Sequence, residues 1–341
     1  MINVYVLGFD QALASAITGV IDLFSLAGVT WNRIQQQETA MAFNVQLASD
    51  QRQNIQCING LLLAAHCSFS ELQSKLANTL EGSNESSQQS NILIVPTIGG
   101  PIQPTLENNP ELIQLLRNAH NAGWTIAGNC TGNFLLAEAG ILDGKSATTH
   151  WGFEAEFKQR FPQIELQADQ LITRDENIFC AGGGIAWFDL GLHIIERCVD
   201  FETAMQTAKA FVIDYRRDSQ LSYSLMRIAK PHQDDMVHSI QATIEQDCTI
   251  SLSIEHLADQ YNVSQRTLIR RFNQALAMPP NTYLQAVRIE RARKMLEESD
   301  NNIDTVMNRV GYEDASSFRR LFKKKTGLTP TEYRTRFSRR L

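Results

Sequence analysis

Three absences narrow the possibilities before any motif is considered. The six cysteines, Cys57, Cys67, Cys130, Cys180, Cys198 and Cys248, are scattered through the chain. None forms a C-x-x-C pair or sits at a metal-ligand spacing, which argues against a disulfide framework or a zinc site. No run of about 18 uncharged apolar residues occurs, so no membrane-spanning helix is expected. The apolar N-terminal stretch lacks a basic leading region and is interrupted by Asp10 and Asp22, which argues against a signal peptide. The expectation is a soluble, reduced, cytoplasmic chain with no call for a metal or cofactor.

What is present is enough chain for two domains, and an uneven charge. The 341 residues are 43% hydrophobic and 20% charged, ordinary values for a globular protein. Residues 235–341 carry seventeen Lys and Arg against thirteen Asp and Glu, a balance of +4. Residues 1–234 carry fourteen against twenty-four, a balance of -10, and together these give the net -6. A basic C-terminal portion on an acidic remainder suits one domain that meets phosphates and another that does not.

The basic portion has the sharper pattern. Residues 253–272 (SIEHLADQYNVSQRTLIRRF) predict two short helices joined by a turn at Tyr261 and Asn262. Ser253 and Ser264 are N-cap candidates, and Val263 and Leu268 stand at hydrophobic-staple spacing. Leu268 and Phe272 face inward, which leaves Gln265, Arg266, Ile269 and Arg270 outside. That is the plan of a helix-turn-helix, and an arginine fork on the outer face can bond both acceptors of a guanine edge. The pattern returns fifty residues on: Leu268 falls on Phe318, Arg270 on Arg320, Phe272 on Phe322, Pro280 on Pro330 and Tyr283 on Tyr333. In the second copy Asp314 is the cap, Gly327 the C-terminal stop and Pro330 the breaker beyond. A repeated unit is far more specific than a single match.

These residues, with the closing GLTPTEYR at 327–334, resemble the DNA-binding domain of AraC/XylS-type transcriptional regulators. The resemblance implies an all-α C-terminal domain with two helix-turn-helix motifs, double-stranded operator DNA as partner and RNA polymerase as a further candidate. It also implies two recognition helices in successive major grooves. By position in the helix, Gln265, Arg266, Ile269 and Arg270 face bases in the first module, and Ala315, Ser316, Arg319 and Arg320 in the second. Lys323 and Lys324, with Lys325, Arg334 and Arg336, form a basic cluster suited to phosphates.

Strands alternate with helices in the first 200 residues, the rhythm of an α/β domain around a mostly parallel sheet. Residues 2–7 (INVYVL), 91–96 (NILIVP) and 124–128 (WTIAG) read as buried strands, and residues 81–91 (EGSNESSQQSN) as a polar surface loop. Gly128-Asn129-Cys130-Thr131-Gly132 fits G-x-C-x-G between a strand and a helix, the setting of a nucleophile elbow. The helix N-terminus that follows favours a thiolate at Cys130. His150 ends a probable strand in ATTHW, and Gly99 and Gly100 are candidates for oxyanion-hole donors.

The elbow, the ATTHW histidine and the Gly-Gly turn together resemble the PfpI-type branch of the class I glutamine amidotransferase-like superfamily. That resemblance implies a flavodoxin-like fold with helices on both faces of the sheet. It also implies a pocket of Cys130, Thr131, His150, Gly99 and Gly100, joined by an acidic residue from the first helix. Here that acidic position falls on Ala16, so no catalytic residue is expected and the pocket reads as an effector site. The expected layout is a sensing domain at 1–210, a linker at 211–238 and a DNA-binding domain at 239–341. The reading is a homodimeric regulator that senses a small, nitrogen-containing metabolite. Its alternative is a cysteine-dependent hydrolase or amidotransferase-like enzyme with a DNA-binding tail.

Overall fold

The computed structural model describes residues 1–81, 91–215, 217, 219–224 and 232–339. The polar stretch expected as a surface loop therefore lies, at 82–90, outside the described residues, as does much of the expected linker. The chain divides into two compact units, Met1–Gln220 and Leu221–Leu341.

The first unit is built on a seven-stranded sheet. Its strands are β1 (Ile2–Leu7), β2 (Phe43–Ser49), β3 (Cys67–Ser68), β4 (Asn91–Val95), β5 (Thr125–Asn129), β6 (Ile172–Asp175) and β7 (Ile178–Ala181). They lie in the order β6-β7-β5-β4-β1-β2-β3, and all pairs are parallel except β6 with β7. The central strands are apolar on both faces because helices cover both sides. Val4, Val6, Ile92, Ile94 and Ile126 are all fully or almost fully buried. Two features were not foreseen from the sequence: the antiparallel edge strand β6, and a small hairpin pairing Ile55–Gln56 with Leu62–Leu63. Both are short and offer little periodicity to read.

Strand order reverses between β1 and β4, so the loops after these two strands flank the crevice where open α/β sheets hold ligands. In this chain the two loops are stitched together. Ala12 forms an antiparallel bridge with Ile98, and the Leu13 N–H donates to the Thr97 carbonyl at 2.9 Å. The open part of the edge is thereby shifted towards the end of β5.

Helix α1 (Ala14–Leu26) packs its buried Ile17, Val20, Leu23 and Phe24 towards the sheet, and Ala16 on it is fully buried. The intervening helices are α2 (Phe69–Glu81), α3 (Pro110–Asn121) and α4 (Asn133–Glu138). Helix α5 (Trp187–Cys198) lies against α1, and α6 (Phe201–Phe211) against α5. Contact between α1 and α5 depends on Gly19, where an added Cβ would stand 1.9 Å from the Trp187 ring.

The second unit is all helical: α7 (Asp235–Gln246), α8 (Ile254–Gln260), α9 (Gln265–Leu276), α10 (Pro280–Glu298), α11 (Ile303–Arg309), α12 (Ala315–Thr326) and α13 (Pro330–Phe337). Its caps fall where the sequence places them. Ser253, Ser264 and Asp314 each accept backbone N–H groups at a helix start, and Gly327 ends α12 in the left-handed conformation. Ala277, the counterpart of Gly327, takes the same conformation at the end of α9 despite its Cβ.

Gly19→Ala tests the α1–α5 contact. Helix propensity alone favours alanine by about 1 kcal/mol. Overpacking against a buried indole costs about 1–3 kcal/mol and should prevail. The variant should unfold at lower urea concentration than wild type, and an unchanged or higher midpoint would show that Trp187 gives way freely.

Candidate nucleic-acid interface and small-molecule pocket

In the DNA-binding unit, α9 buries Leu268, Phe272 and Leu276 and exposes Gln265, Arg266 and Arg270, with Ile269 half-buried. A shallow groove of about 740 Å³ runs along Gln265, Arg266, Ile269, Arg270, Asn273 and Gln274. Helix α12 repeats the layout. It buries Phe318, Phe322 and Thr326 and exposes Ser316, Arg319, Arg320, Lys323 and Lys324, while Ala315 is half-buried. Arg319 stands 3.7 Å from Asp304, an exposed pair that DNA can displace at little cost.

Other arginines of this unit are structural. Arg271 forms a forked pair with Asp234 at 2.6 and 2.5 Å. Arg288 donates to the Cys248 and Ile250 carbonyls, and Arg291 to the Glu245 carbonyl. Arg293 is 5% exposed and donates to the Tyr333 hydroxyl. Sequence pattern could not separate these from the exposed arginines of α9 and α12, because only their partners distinguish them. Arg334, counted above in the basic cluster, is half-buried and donates to the Asn301 carbonyl.

In the α/β unit the elbow is real. Cys130 has φ +57°, a strained value for a residue with a Cβ. Both neighbouring glycines are required: a Cβ on Gly128 would meet the Asn133 side chain at 2.1 Å, and one on Gly132 the Pro96 carbonyl at 2.3 Å. Asn133 braces the turn by donating to the Thr148 and Ala181 carbonyls, and the Thr149 hydroxyl donates to the Cys130 carbonyl at 2.9 Å.

The environment of the thiol differs from the sequence expectation. Cys130 is 5% exposed, and burial pushes its pKa up. The nearby Thr131 and Gly184 amides and Thr131 and Thr97 hydroxyls favour the anion, without overcoming the loss of water. The helix-terminus argument therefore gives the wrong sign. A second correction concerns Gly99 and Gly100. Both N–H groups donate to the carbonyl of Gln11, at 2.8 and 3.1 Å, and are not free as oxyanion donors. Gln11 itself has φ +66°, which aims its carbonyl at them.

His150 is half-buried, and burial lowers its pKa. Its Nδ1 accepts the Gly152 N–H at 2.9 Å, and its ring packs on Trp151 and Phe153. The turn at 182–184 lies against it: a Cβ on Gly183 would lie 2.1 Å from the His150 ring, and the next amide, Gly184, is among the groups that favour the Cys130 thiolate. The sequence showed this turn only as three glycines. Nor did it flag Thr97, Gln11 or the distant Gln220, which donates to the Thr149 carbonyl at 2.7 Å. At the Ala16 register there is only a buried methyl group. Asp10 accepts the Gln56 N–H, and Asp22 is exposed on α1.

A strained cysteine elbow on a parallel sheet, joined to a doubled helix-turn-helix unit, defines a DNA-binding regulator with an α/β companion domain. Comparison with known proteins agrees. The DJ-1/PfpI family model matches residues 23–197, and a helix-turn-helix domain model matches residues 257–336. The chain is 28% identical over 234 residues to the HTH-type transcriptional regulator CdhR of Pseudomonas aeruginosa, covering 68% of this chain and 69% of that protein. It is 27% identical over 230 residues to the HTH-type transcriptional regulator GbdR of the same species, covering 66% of this chain and 61% of GbdR. Among solved structures, an AraC family transcriptional regulator from Pseudomonas putida aligns with TM-score 0.48 and 20% identity, over 62% of this chain and all of that one. The chain belongs to the DJ-1/PfpI family and carries an AraC-type DNA-binding domain; it is a DNA-binding transcriptional regulator.

The raised thiol pKa has a checkable consequence. With its folded pKa above the unfolded value of about 8.5, Cys130 stays protonated at neutral pH. Alkylation of Cys130 by iodoacetamide at pH 7.5, followed by peptide mass spectrometry, should run at least about tenfold slower than in the urea-unfolded chain. The rate should still be climbing above pH 9. A rate equal to that of the unfolded chain would reveal a thiolate instead.

Proposed function

We propose that the two modules read operator bases through Gln265, Arg266, Ile269 and Arg270 and through Ala315, Ser316, Arg319 and Arg320. Lys323 and Lys324 supply phosphate contacts. The α/β unit, on this reading, senses a small metabolite at the Cys130–His150 turn and does no chemistry on it. The supporting observation is the division of labour among the arginines. Four of them are tied into the fold, whereas Arg266, Arg270, Arg319 and Arg320 are exposed on two equivalently capped helices.

The case against turnover rests on three features of one site. The thiol is buried and protonated, the Gly99 and Gly100 amides are engaged by Gln11, and the Ala16 register offers no carboxylate to orient a proton transfer. A nitrogen-containing effector suits a site that offers threonine hydroxyls and a neutral imidazole. A homodimer through residues 1–210 would let two copies occupy a repeated operator. Exposed Leu61 and Leu62 on the hairpin provide apolar surface for such a contact.

Arg266→Ala and Arg270→Ala should each weaken cognate operator binding by about 1–3 kcal/mol and relax preference at one or two base pairs. The pair Lys323→Ala and Lys324→Ala should weaken all sequences alike and reduce the salt slope by about 1 per charge. Quantitative footprinting across salt concentrations separates the two, and uniform weakening by Arg266→Ala would move that residue to the phosphate class. For the sensing site, Cys130→Ala should retain fold and basal operator binding but change the response in a reporter screen of amino acids and quaternary amines. Saturable amide or ester hydrolysis by wild type, abolished in Cys130→Ala, would establish the enzyme instead.

A further inference from the structure

We propose that Gln220 is a latch that carries the state of the Cys130–His150 site into the connection between the two units. This rests on the sensing role proposed above for that site.

Gln220 is 2% exposed and closes the α/β unit. Its side-chain amide is held on both sides. Oε1 accepts the Gly183 N–H at 3.0 Å and the Trp151 N–H at 3.4 Å. Nε2 donates to the Thr149 and Ala168 carbonyls, both at 2.7 Å. Its backbone N–H donates to the Asp169 carbonyl at 3.1 Å. An amide so buried keeps its place only while these partners keep theirs.

Those partners belong to the candidate site. Three consecutive glycines do three different things. A Cβ on Gly182 would stand 2.8 Å from the Gln220 amide, so Gly182 makes room for it. Gly183 donates to Gln220 and abuts the His150 ring. Gly184 turns the chain at φ +66°, and Thr149, whose carbonyl Gln220 holds, donates its hydroxyl to the Cys130 carbonyl at 2.9 Å. Thr149 and Trp151, which also hold Gln220, flank His150 in the chain. A ligand that shifts the glycine turn or the imidazole therefore changes the bonds of Gln220 directly.

Immediately beyond the latch the chain is fixed to the DNA-binding unit. Within that unit, Arg293 donates to the Ser224 carbonyl at 2.5 Å and to the Ser222 carbonyl at 3.2 Å. The Tyr223 ring packs edge-on against Phe337. Only Leu221 separates the latched Gln220 from the segment held by Arg293. Releasing Gln220 would lengthen the connection and change which arrangements of the two units are populated, the requirement for a ligand to regulate.

The test uses the full-length chain, with iodoacetamide on Cys130 as the probe of the site. In wild type, carbamidomethylation of Cys130 should speed amide hydrogen exchange in residues 219–224 by about tenfold or more. Identically treated Cys130→Ala should show no change. In Gln220→Ala the segment should exchange fast before labelling, and labelling should add nothing. Gly182→Ala, whose new Cβ displaces the amide without altering Gln220, should behave the same way and carries the test if Gln220→Ala fails to fold. Opening at Gln220 loosens the turn beside Cys130, so both variants should also speed its alkylation.

Unchanged exchange at 219–224 in labelled wild type, or retained protection there in Gln220→Ala, would overturn the latch. Operator binding separates its failure from that of the sensing role. If labelling changes operator affinity equally in wild type and Gln220→Ala, sensing stands and the latch is wrong. If 219–224 responds to labelling while operator affinity does not, the latch stands and sensing at this site is wrong.

Discussion

The α/β unit depends on close approach of backbone at one place, where side chains would prevent it. Gly182 and Gly183 leave no room for a Cβ, and Gly184 takes φ +66°. Across from them Cys130 holds a left-handed conformation that costs on the order of 1–3 kcal/mol. Buried hydrogen bonds hold the strain in place: Asn133 ties the elbow to β7 and to the Thr148 carbonyl, and Thr149 ties down the Cys130 carbonyl. These buried bonds favour one arrangement of the elbow, because breaking any of them leaves a buried donor or acceptor without a partner.

The same packing decides the chemistry of the thiol. The Thr131 and Gly184 amides and the Thr131 and Thr97 hydroxyls near the sulfur favour its anion. Burial opposes them and prevails, since the site is nearly closed to water and the cause that leads is desolvation. His150 does not reverse this, because burial also favours its neutral form. An effective cysteine nucleophile needs a thiolate, a base held in register and free donors for an oxyanion. At this elbow the first is disfavoured, and the Gln11 carbonyl occupies the Gly99 and Gly100 amides.

Much of this was legible in the sequence, and what was not has a common cause. The apolar runs of β1, β4 and β5 and the caps at Ser264 and Asp314 are local signals, and they marked the elements they belong to. The G-x-C-x-G spacing located the elbow because strand, turn and helix are contiguous there. Whether the thiol ionises was not legible, because burial is a property of the whole packed unit. The fate of the Gly99 and Gly100 amides depended on the carbonyl of a residue almost ninety positions earlier, in a strained conformation that no pattern announces. Gln220, seventy residues from His150, had no local mark at all. Residues 219–224 show no periodicity because they are held by single docking contacts, such as Gln220 in the α/β unit and Arg293 with the Ser222 and Ser224 carbonyls in the helical unit.

The spacing of the two reading helices follows from how α10 is held. Its 19 residues span about 28 Å at the usual helical rise. Near its start Tyr283 bonds Glu245 of the first module, and Arg288 and Arg291 grip the carbonyls that end α7 and follow it. Near its end Arg293 and Glu297 both bond Tyr333 of the second. The repeated tyrosine is thus satisfied in each module by a glutamate thirty-six or thirty-eight residues before it, three helices earlier in the chain. Burying a phenol with a charged partner is costly unless the geometry is kept, so these pairs resist sliding of either module along α10. Helix α10 is therefore a spacer gripped at both ends, and its arginines fix where the two exposed helices α9 and α12 stand within the unit.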